Sequence, residues 1–436
     1  MTFVRPARRV LIAAVSLSAL LVAAACGGGG DEPGGGAAGA PAVDFSKQGD
    51  VEFWTGKDAT GYVPKQVQAF NDSHPNGKVI LHELPDEADQ QRQQMIQNTQ
   101  IKNPMMGILN VDVVWTAEFA AKQYIVELPP DQFPTDQMLP ATVDSATYFN
   151  KLYGYPWNSN GGLLFYRKDL LEKYNLQPPT TFDEMKAACD TIRQGEGGNL
   201  ECFAGQYNKY EGLTVNFDEA VHGAGGVIVG EDGKPNVATP EATLGLQTLV
   251  DWFKDGYIPK GAITWTEEEG RQAFQKGTLI FHRNWPYVYA LAAKTDGSSR
   301  IVGKYDVAPL PGITGPGVSS LGGANLGIAT NAENKGTAAD FLKFMSSPEA
   351  QEANTLATSN APTLSSLYTD PDITEKYPFY PVLLKSIETA KPRPKAVEYG
   401  DVTRAIQDAA YSALQGQAAP DAALQQLQTK LQTLIK

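Results

Sequence analysis

Val51-Glu52-Phe53-Trp54-Thr55 opens a stretch, residues 51–115, in which extended and helical patterns alternate. Residues 51–55 and 78–84 carry short β-type runs, residues 62–71 and 89–101 carry helical periodicity, and residues 111–115 read as a third strand. A β-α-β-α-β order predicts a parallel sheet covered by helices on both faces. In such sheets ligands collect at the carboxyl ends of the strands. The acids fall there: Asp58 after the first strand, Asp86 and Asp89 after the second, Glu118 after the third, and Asp112 within the third. Carboxylates at one sheet edge suit the gripping of hydroxyl groups, and the same pattern arises when acids cap helices.

Outward from this core, Tyr155-Pro156-Trp157-Asn158-Ser159-Asn160-Gly161-Gly162 reads as an irregular polar stretch before the apolar strand 163–166. Thr181 and Glu184 make a capping-box pattern behind Pro178-Pro179. Helical patterns follow at 241–254, 268–276, 337–345 and 402–434, the last broken at 416–420. Residues 307–311 and 361–363 read as non-helical crossings, and the chain shows no internal repeat.

Ahead of the core, Arg5, Arg8 and Arg9 precede the uncharged apolar run 10–25 and then Cys26. The run is shorter than the roughly 20 residues that span a bilayer, so residues 1–25 are expected to be a cleaved export signal. Val22-Ala23-Ala24-Ala25-Cys26 resembles a bacterial lipobox, which implies acylation of Cys26. Residues 26–46, rich in Gly, Ala and Pro, are expected to be a flexible tether. The protein is then expected on the outer face of the cytoplasmic membrane, held by lipid.

The formal charge is -13, and loss of the three signal arginines makes it more negative. A basic face for nucleic acid is absent from that balance. After Cys26 only Cys189 and Cys202 remain. In an oxidising compartment their spacing across a Gly-rich loop predicts a local disulfide, with two buried thiols as the other reading. The four scattered histidines and the lack of CxxC or HExxH point to no metal, and no cofactor motif occurs: the nearest to GxGxxG is Gly322-Gly323-x-x-x-Gly327. No catalytic elbow or phosphate loop is present. Carboxylates, Asn, Arg and Trp in loops remain, a set suited to sugars.

Several motifs stand in one order: Ala69-Phe70-Asn71 with His74-Pro75, then Phe165-Tyr166-Arg167-Lys168-Asp169-Leu170 followed by Pro179-Thr180-Thr181-Phe182-Asp183-Glu184. Phe274-x-x-Gly277, Ala308-Pro309-Leu310-Pro311 and Phe341-Leu342-x-Phe344-Met345 complete them. From residue 51 onward the chain resembles the extracellular solute-binding proteins of ABC importers, in the maltose-binding-protein-like class. Residues 112–120, Tyr210-Glu211-Gly212, 284–288 and Leu321-Gly322-Gly323 resemble the trehalose-binding lipoproteins of actinobacteria.

The resemblance implies an α/β, periplasmic-binding-protein-like (type II) fold, with two discontinuous lobes joined by three crossings around a cleft. Lobe one is expected over 47–160 and 310–360, lobe two over 161–309 and 361–436, with crossings near 158–163, 308–311 and 359–363. Ligand contacts are implied for Asp58, Asp89, Asp112, Asn160, Glu267, Trp285, Gly323 and Arg393. The acids would accept hydroxyls, Asn160 and Arg393 would donate, and Trp285 would stack. Residue by residue the plainer readings stay open: caps or loop residues for Asp58, Asp89, Asp112 and Asn160, helix-start charge for Glu267, core for Trp285, surface for Arg393. The expected protein is a monomeric, non-enzymatic receptor that hands a disaccharide such as trehalose or maltose to ABC permease subunits. A secreted glycoside hydrolase is the alternative, since paired carboxylates also serve hydrolysis, and a structural surface lipoprotein is a third.

Overall fold

The computed structural model describes residues 43–435, so the expected signal 1–25, Cys26 and residues 27–42 of the expected tether lie outside the described residues. Among those described, no helix is long and apolar enough to cross a membrane. The last residues assigned to the tether are in fact part of the body. Val43 and Phe45 pack on the first core, with the Phe45 ring 5.9 Å from that of Phe133.

Two sheets organise the chain. The first holds five strands in the order Val79–Leu84, Val51–Gly56, Met106–Asp112, Leu321–Ile328 and Tyr155–Gly161. The first three are parallel, as the alternation of strand and helix requires, and the last two run antiparallel to their neighbours. The helix Val63–Ser73 covers this sheet by burying Val63, Val67 and Phe70 at helical spacing. The third strand begins earlier than expected: Met106–Leu109 are buried strand residues, whereas Val113–Trp115 form a buried turn into the helix Thr116–Ala121.

The stretch 155–161 is a strand, although Pro156, Asn158 and Asn160 argue against one. Pairing with Leu321–Ile328, for which no strand was expected, overrides weak local propensity.

The second sheet orders Asp306–Ala308, Leu163–Tyr166, Leu279–Asn284 and Glu201–Ala204. Alternate residues of Leu163–Tyr166 enter different cores: Leu163 and Phe165 one, Leu164 and Tyr166 the other. A strand buried on both faces reads as a continuous apolar run. On one side lie Phe203, Leu246, Trp252 and Ile406. Thr181 caps the helix Phe182–Gly195 by accepting from Glu184 N (3.1 Å), while the Glu184 carboxylate turns back to Thr180 N (2.7 Å).

The chain leaves the first sheet after Gly161 and returns between Ala308 and Leu321. The third crossing differs from expectation. Ala361 bridges Ser159, and the helix Tyr380–Thr389 packs on the strand Tyr155–Gly161, which keeps residues 361–389 with the first sheet. The helix Tyr399–Leu414 packs on the helix Glu211–Gly223 of the second half, so the transfer falls in 390–398. The non-helical Ala361-Pro362-Thr363 mimics a crossing while remaining beside its own sheet.

Cys189, in the helix Phe182–Gly195, and Cys202, in the strand Glu201–Ala204, are disulfide-bonded with Cα atoms 5.5 Å apart. A loop of this size stabilises by about 3 kcal/mol in the chain-entropy view. Alkylation of the native protein followed by intact-mass measurement is expected to add nothing until a reductant is supplied. Two alkylated thiols without reductant would contradict the pairing.

Candidate ligand-binding cleft

The carboxyl end of Met106–Asp112 supplies Asp112, its last residue, and Asn110. Beside them the antiparallel strands contribute Asn158, Asn160, Gly322 and Gly323. From the second half come Glu211, first residue of Glu211–Gly223, Glu267, first residue of Glu267–Gln275, and Trp285, directly after Leu279–Asn284. These residues, with Trp115, Tyr210, Tyr287 and Arg393, line a cavity of about 320 Å³. An adjoining chamber of about 320 Å³ shares Lys57, Asp86, Asn110, Asn158, Glu267 and Tyr287, and adds Trp157, Asn354 and Asn360. Together they make one cleft of a size that holds a small ligand.

Six of the eight residues anticipated from sequence meet in the first cavity: Asp112, Asn160, Glu267, Trp285, Gly323 and Arg393. Arg393 is 3% exposed and sits in the third crossing, so it is no surface arginine. Its Nη2 donates to Asp112 Oδ1 (3.1 Å) and to the Leu321 carbonyl (3.2 Å), and its Nη1 donates to Glu211 Oε1. One guanidinium therefore ties the first sheet to the second half. Gly323 has φ +120°, and a Cβ there would lie 2.4 Å from the Asn158 carbonyl oxygen. Only glycine lets the two strands approach so closely. Trp285 is half-buried and not core: the Arg283 guanidinium lies 3.9 Å from its ring centroid on one face, and its edge lies against Gly322.

Two anticipated residues do other work. Asp58 lines the adjoining chamber, but its carboxylate already accepts from Thr60 N (2.8 Å), Tyr62 N (2.6 Å) and Val63 N (2.8 Å). It caps the helix Val63–Ser73 instead of standing free for a hydroxyl. Asp89 lies in the first turn of Ala88–Gln100 and lines a separate cavity with Arg92, Glu118 and Thr403. Its Oδ2 accepts from Gln407 Nε2 (3.0 Å), and burial raises its pKa.

Sequence reasoning missed the other half of the cleft. Trp115 and Trp157 are packing residues by default in sequence, since no motif singles them out. Both are buried, yet each indole Nε1 has no protein partner. The same is true of Asn110 Oδ1, Asn160 Oδ1 and Arg393 Nε. Buried polar atoms in native proteins are nearly always satisfied, and five of the unpartnered ones among the described residues belong to residues that line this cleft. Asn110, standing two residues before Asp112 on the same face of a strand, was open to detection by period-two reading.

The electrostatics are acidic. Asp86, Asp112, Glu211 and Glu267 outnumber Lys57 and Arg393 in the first cavity. Burial raises the Glu267 pKa, against the hydrogen bond from Tyr210 Oη (2.6 Å). Burial likewise pushes Glu211 up to about 7, while Arg393 and the Tyr399 hydroxyl pull it down. Thr403 Oγ1 adds a 2.7 Å hydrogen bond to Glu211 Oε2.

A carboxyl whose folded pKa exceeds its ordinary 4.5 contributes stability below that value and loses it as pH rises through about 7. Melting temperatures of the ligand-free protein from acid to neutral pH are expected to fall relative to those of Glu211→Gln across that window. Parallel curves for the two proteins would contradict it.

The family of bacterial extracellular solute-binding proteins matches this chain over residues 65–379. A probable ABC transporter-binding protein of Deinococcus radiodurans is 34% identical over 367 residues, covering 81% of this chain and 86% of that one. The galactooligosaccharide-binding protein of Bacillus subtilis is 25% identical over 399 residues, 87% of this chain and 88% of its own length. Among solved structures, maltose-bound MalE3 of T. maritima superposes with a TM-score of 0.84 at 33% identity, covering 88% of this chain and 99% of that one. With its two sheets, its return crossings and the cleft between them, the chain belongs to the bacterial extracellular solute-binding protein family.

Proposed function

We propose that this protein is the exported receptor of an ABC importer and holds a neutral sugar, of disaccharide size, across the cleft between its two halves. The observation that carries the reading is the set of unpartnered atoms: three N–H donors (Trp115, Trp157, Arg393) and two carbonyl acceptors (Asn110, Asn160). A hydroxyl both donates and accepts, so a polyol satisfies such a mixed set where a purely anionic or purely cationic ligand does not. Trp285 and Tyr287 offer ring surface for the apolar C–H faces of a pyranose. The excess of carboxylates disfavours sugar phosphates. Maltose held by the 33%-identical relative supports the α-glucosyl disaccharides, maltose and trehalose, as first candidates. Sugar contacts on residues from both halves would favour a closed arrangement, the form a permease would engage.

Calorimetry with maltose, trehalose, sucrose and cellobiose is expected to show one-site binding of at least one, recovered intact afterwards. sn-Glycerol 3-phosphate is expected not to bind. Trp285→Ala removes buried ring area worth roughly 1.5–3 kcal/mol, a loss of about 10- to 150-fold in affinity. Hydrolysis of the sugar, or unchanged affinity in Trp285→Ala, would overturn the reading.

The lipobox-like run before Cys26 supports lipid anchoring at the outer face of the membrane, with several acyl chains because one holds only marginally. Cys26→Ala is expected to release the protein or leave it unprocessed. Membrane fractionation of that variant at the normal processed mass would contradict anchoring there.

A further inference from the structure

The ring that lines the cleft rests on a buried charge that is not itself part of the cleft lining. Arg283, 2% exposed, is the fifth residue of the strand Leu279–Asn284. Its guanidinium lies flat enough on Trp285 to bring Cζ within 3.9 Å of the ring centroid. The guanidinium is itself fixed: Nε and Nη2 donate to the two oxygens of Glu219 (2.8 and 2.5 Å), and Nη1 donates to Gln206 Oε1 (3.2 Å). A two-toothed ion pair of this kind sets the plane of the guanidinium as well as its position.

The pair sits where the chain passes between halves. Glu219 Oε1 accepts from Ser320 N (3.1 Å) in the second crossing. In the first crossing a Cβ on Gly162 would lie 2.7 Å from Arg283 Nη2 and 2.9 Å from Glu219 Oε1. Gly162 N donates to Ser319 Oγ (2.6 Å), and Lys391 N of the third crossing donates to the Ser319 carbonyl (2.8 Å). Ring, guanidinium, carboxylate and crossings thus form one continuous column.

We propose that Arg283 is a positioning residue for the ligand platform: with Glu219 it holds the Trp285 indole in its sugar-stacking plane and links that plane to the crossings about which the two halves move. The inference rests on the sugar-receptor reading for its ligand, while the column itself is a property of the unliganded protein. A mobile indole would lose orientation entropy on stacking, so fixing it in advance strengthens binding without a new contact. Lysine keeps the charge at this place and loses both the fork and the flat face.

Two measurements on Arg283→Lys test the proposal. In near-ultraviolet circular dichroism of the ligand-free protein, the bands lost in Trp285→Phe are expected to be lost in Arg283→Lys also. Retention of those bands overturns the positioning role, whatever sugar the protein takes. In a double-mutant cycle read by calorimetry with maltose and with trehalose, Arg283→Lys is expected to weaken binding about 10-fold in the native background and less than about 2-fold in Trp285→Ala. Equal losses in both backgrounds overturn the link from Arg283 through Trp285. Unchanged affinity in Trp285→Ala with the circular dichroism result intact overturns the cleft assignment and leaves the column standing. If Arg283→Lys does not fold, Glu219→Gln, which keeps the shape and the Ser320 hydrogen bond, is carried through the same two measurements with smaller losses in the same direction.

Discussion

A buried arginine without partners is untenable, and the arrangement around Arg393 follows from that constraint. The guanidinium sits in the third crossing and reaches Asp112 at a strand end of the first sheet and Glu211 at a helix start of the second half. Tyr399 and Thr403, on the helix that follows the crossing, complete the Glu211 carboxylate. Removing Arg393 would leave the buried Glu211 carboxylate without its cation, so the third crossing, the strand end and the helix start are held in register by one network. The cleft adjoins that network, since Asp112, Glu211 and Arg393 all line it. Arg393 Nε is the donor left over.

A second consequence concerns the chemistry the cleft admits. Arg393 is paired with Asp112 and Glu211, and Glu267 accepts a hydrogen bond from the neutral Tyr210 hydroxyl. Beside these groups the cleft presents amide side chains and aromatic rings. Direct contacts between the halves, such as Asn208 Nδ2 to Glu87 Oε1 (3.1 Å) and Gln407 to Asp89, show how short the distance across the cleft is.

Much of the fold was legible in residues 51–112, because period-two and helical spacing alternate there without interruption and the sheet they form is governed by local order. The Thr181 cap was legible for the same reason. The strand 155–161 was not: its residues pair poorly by propensity, and the partner that compels them lies more than 150 residues away. The third crossing was misplaced because a break in helix is visible in sequence and a change of sheet is not. At the site, acids at strand ends were found as a class, yet their roles were divided by neighbours no spacing reveals. Asp112 faces Arg393, Asp58 faces three backbone N–H groups, and Asp89 faces Gln407. Trp115 and Trp157 are core by burial and also line the cleft, a double role that leaves no separate mark in sequence. Each keeps an indole Nε1 without a protein partner.

The central claim is that a sugar in the cleft completes the hydrogen bonding of Asn110, Trp115, Trp157, Asn160 and Arg393. A crystal structure of the protein grown with its tightest-binding sugar tests it most directly. The account predicts sugar hydroxyls within hydrogen-bonding distance of those unpartnered atoms and a pyranose face on Trp285. Sugar bound elsewhere, with those atoms still unpartnered, would contradict it.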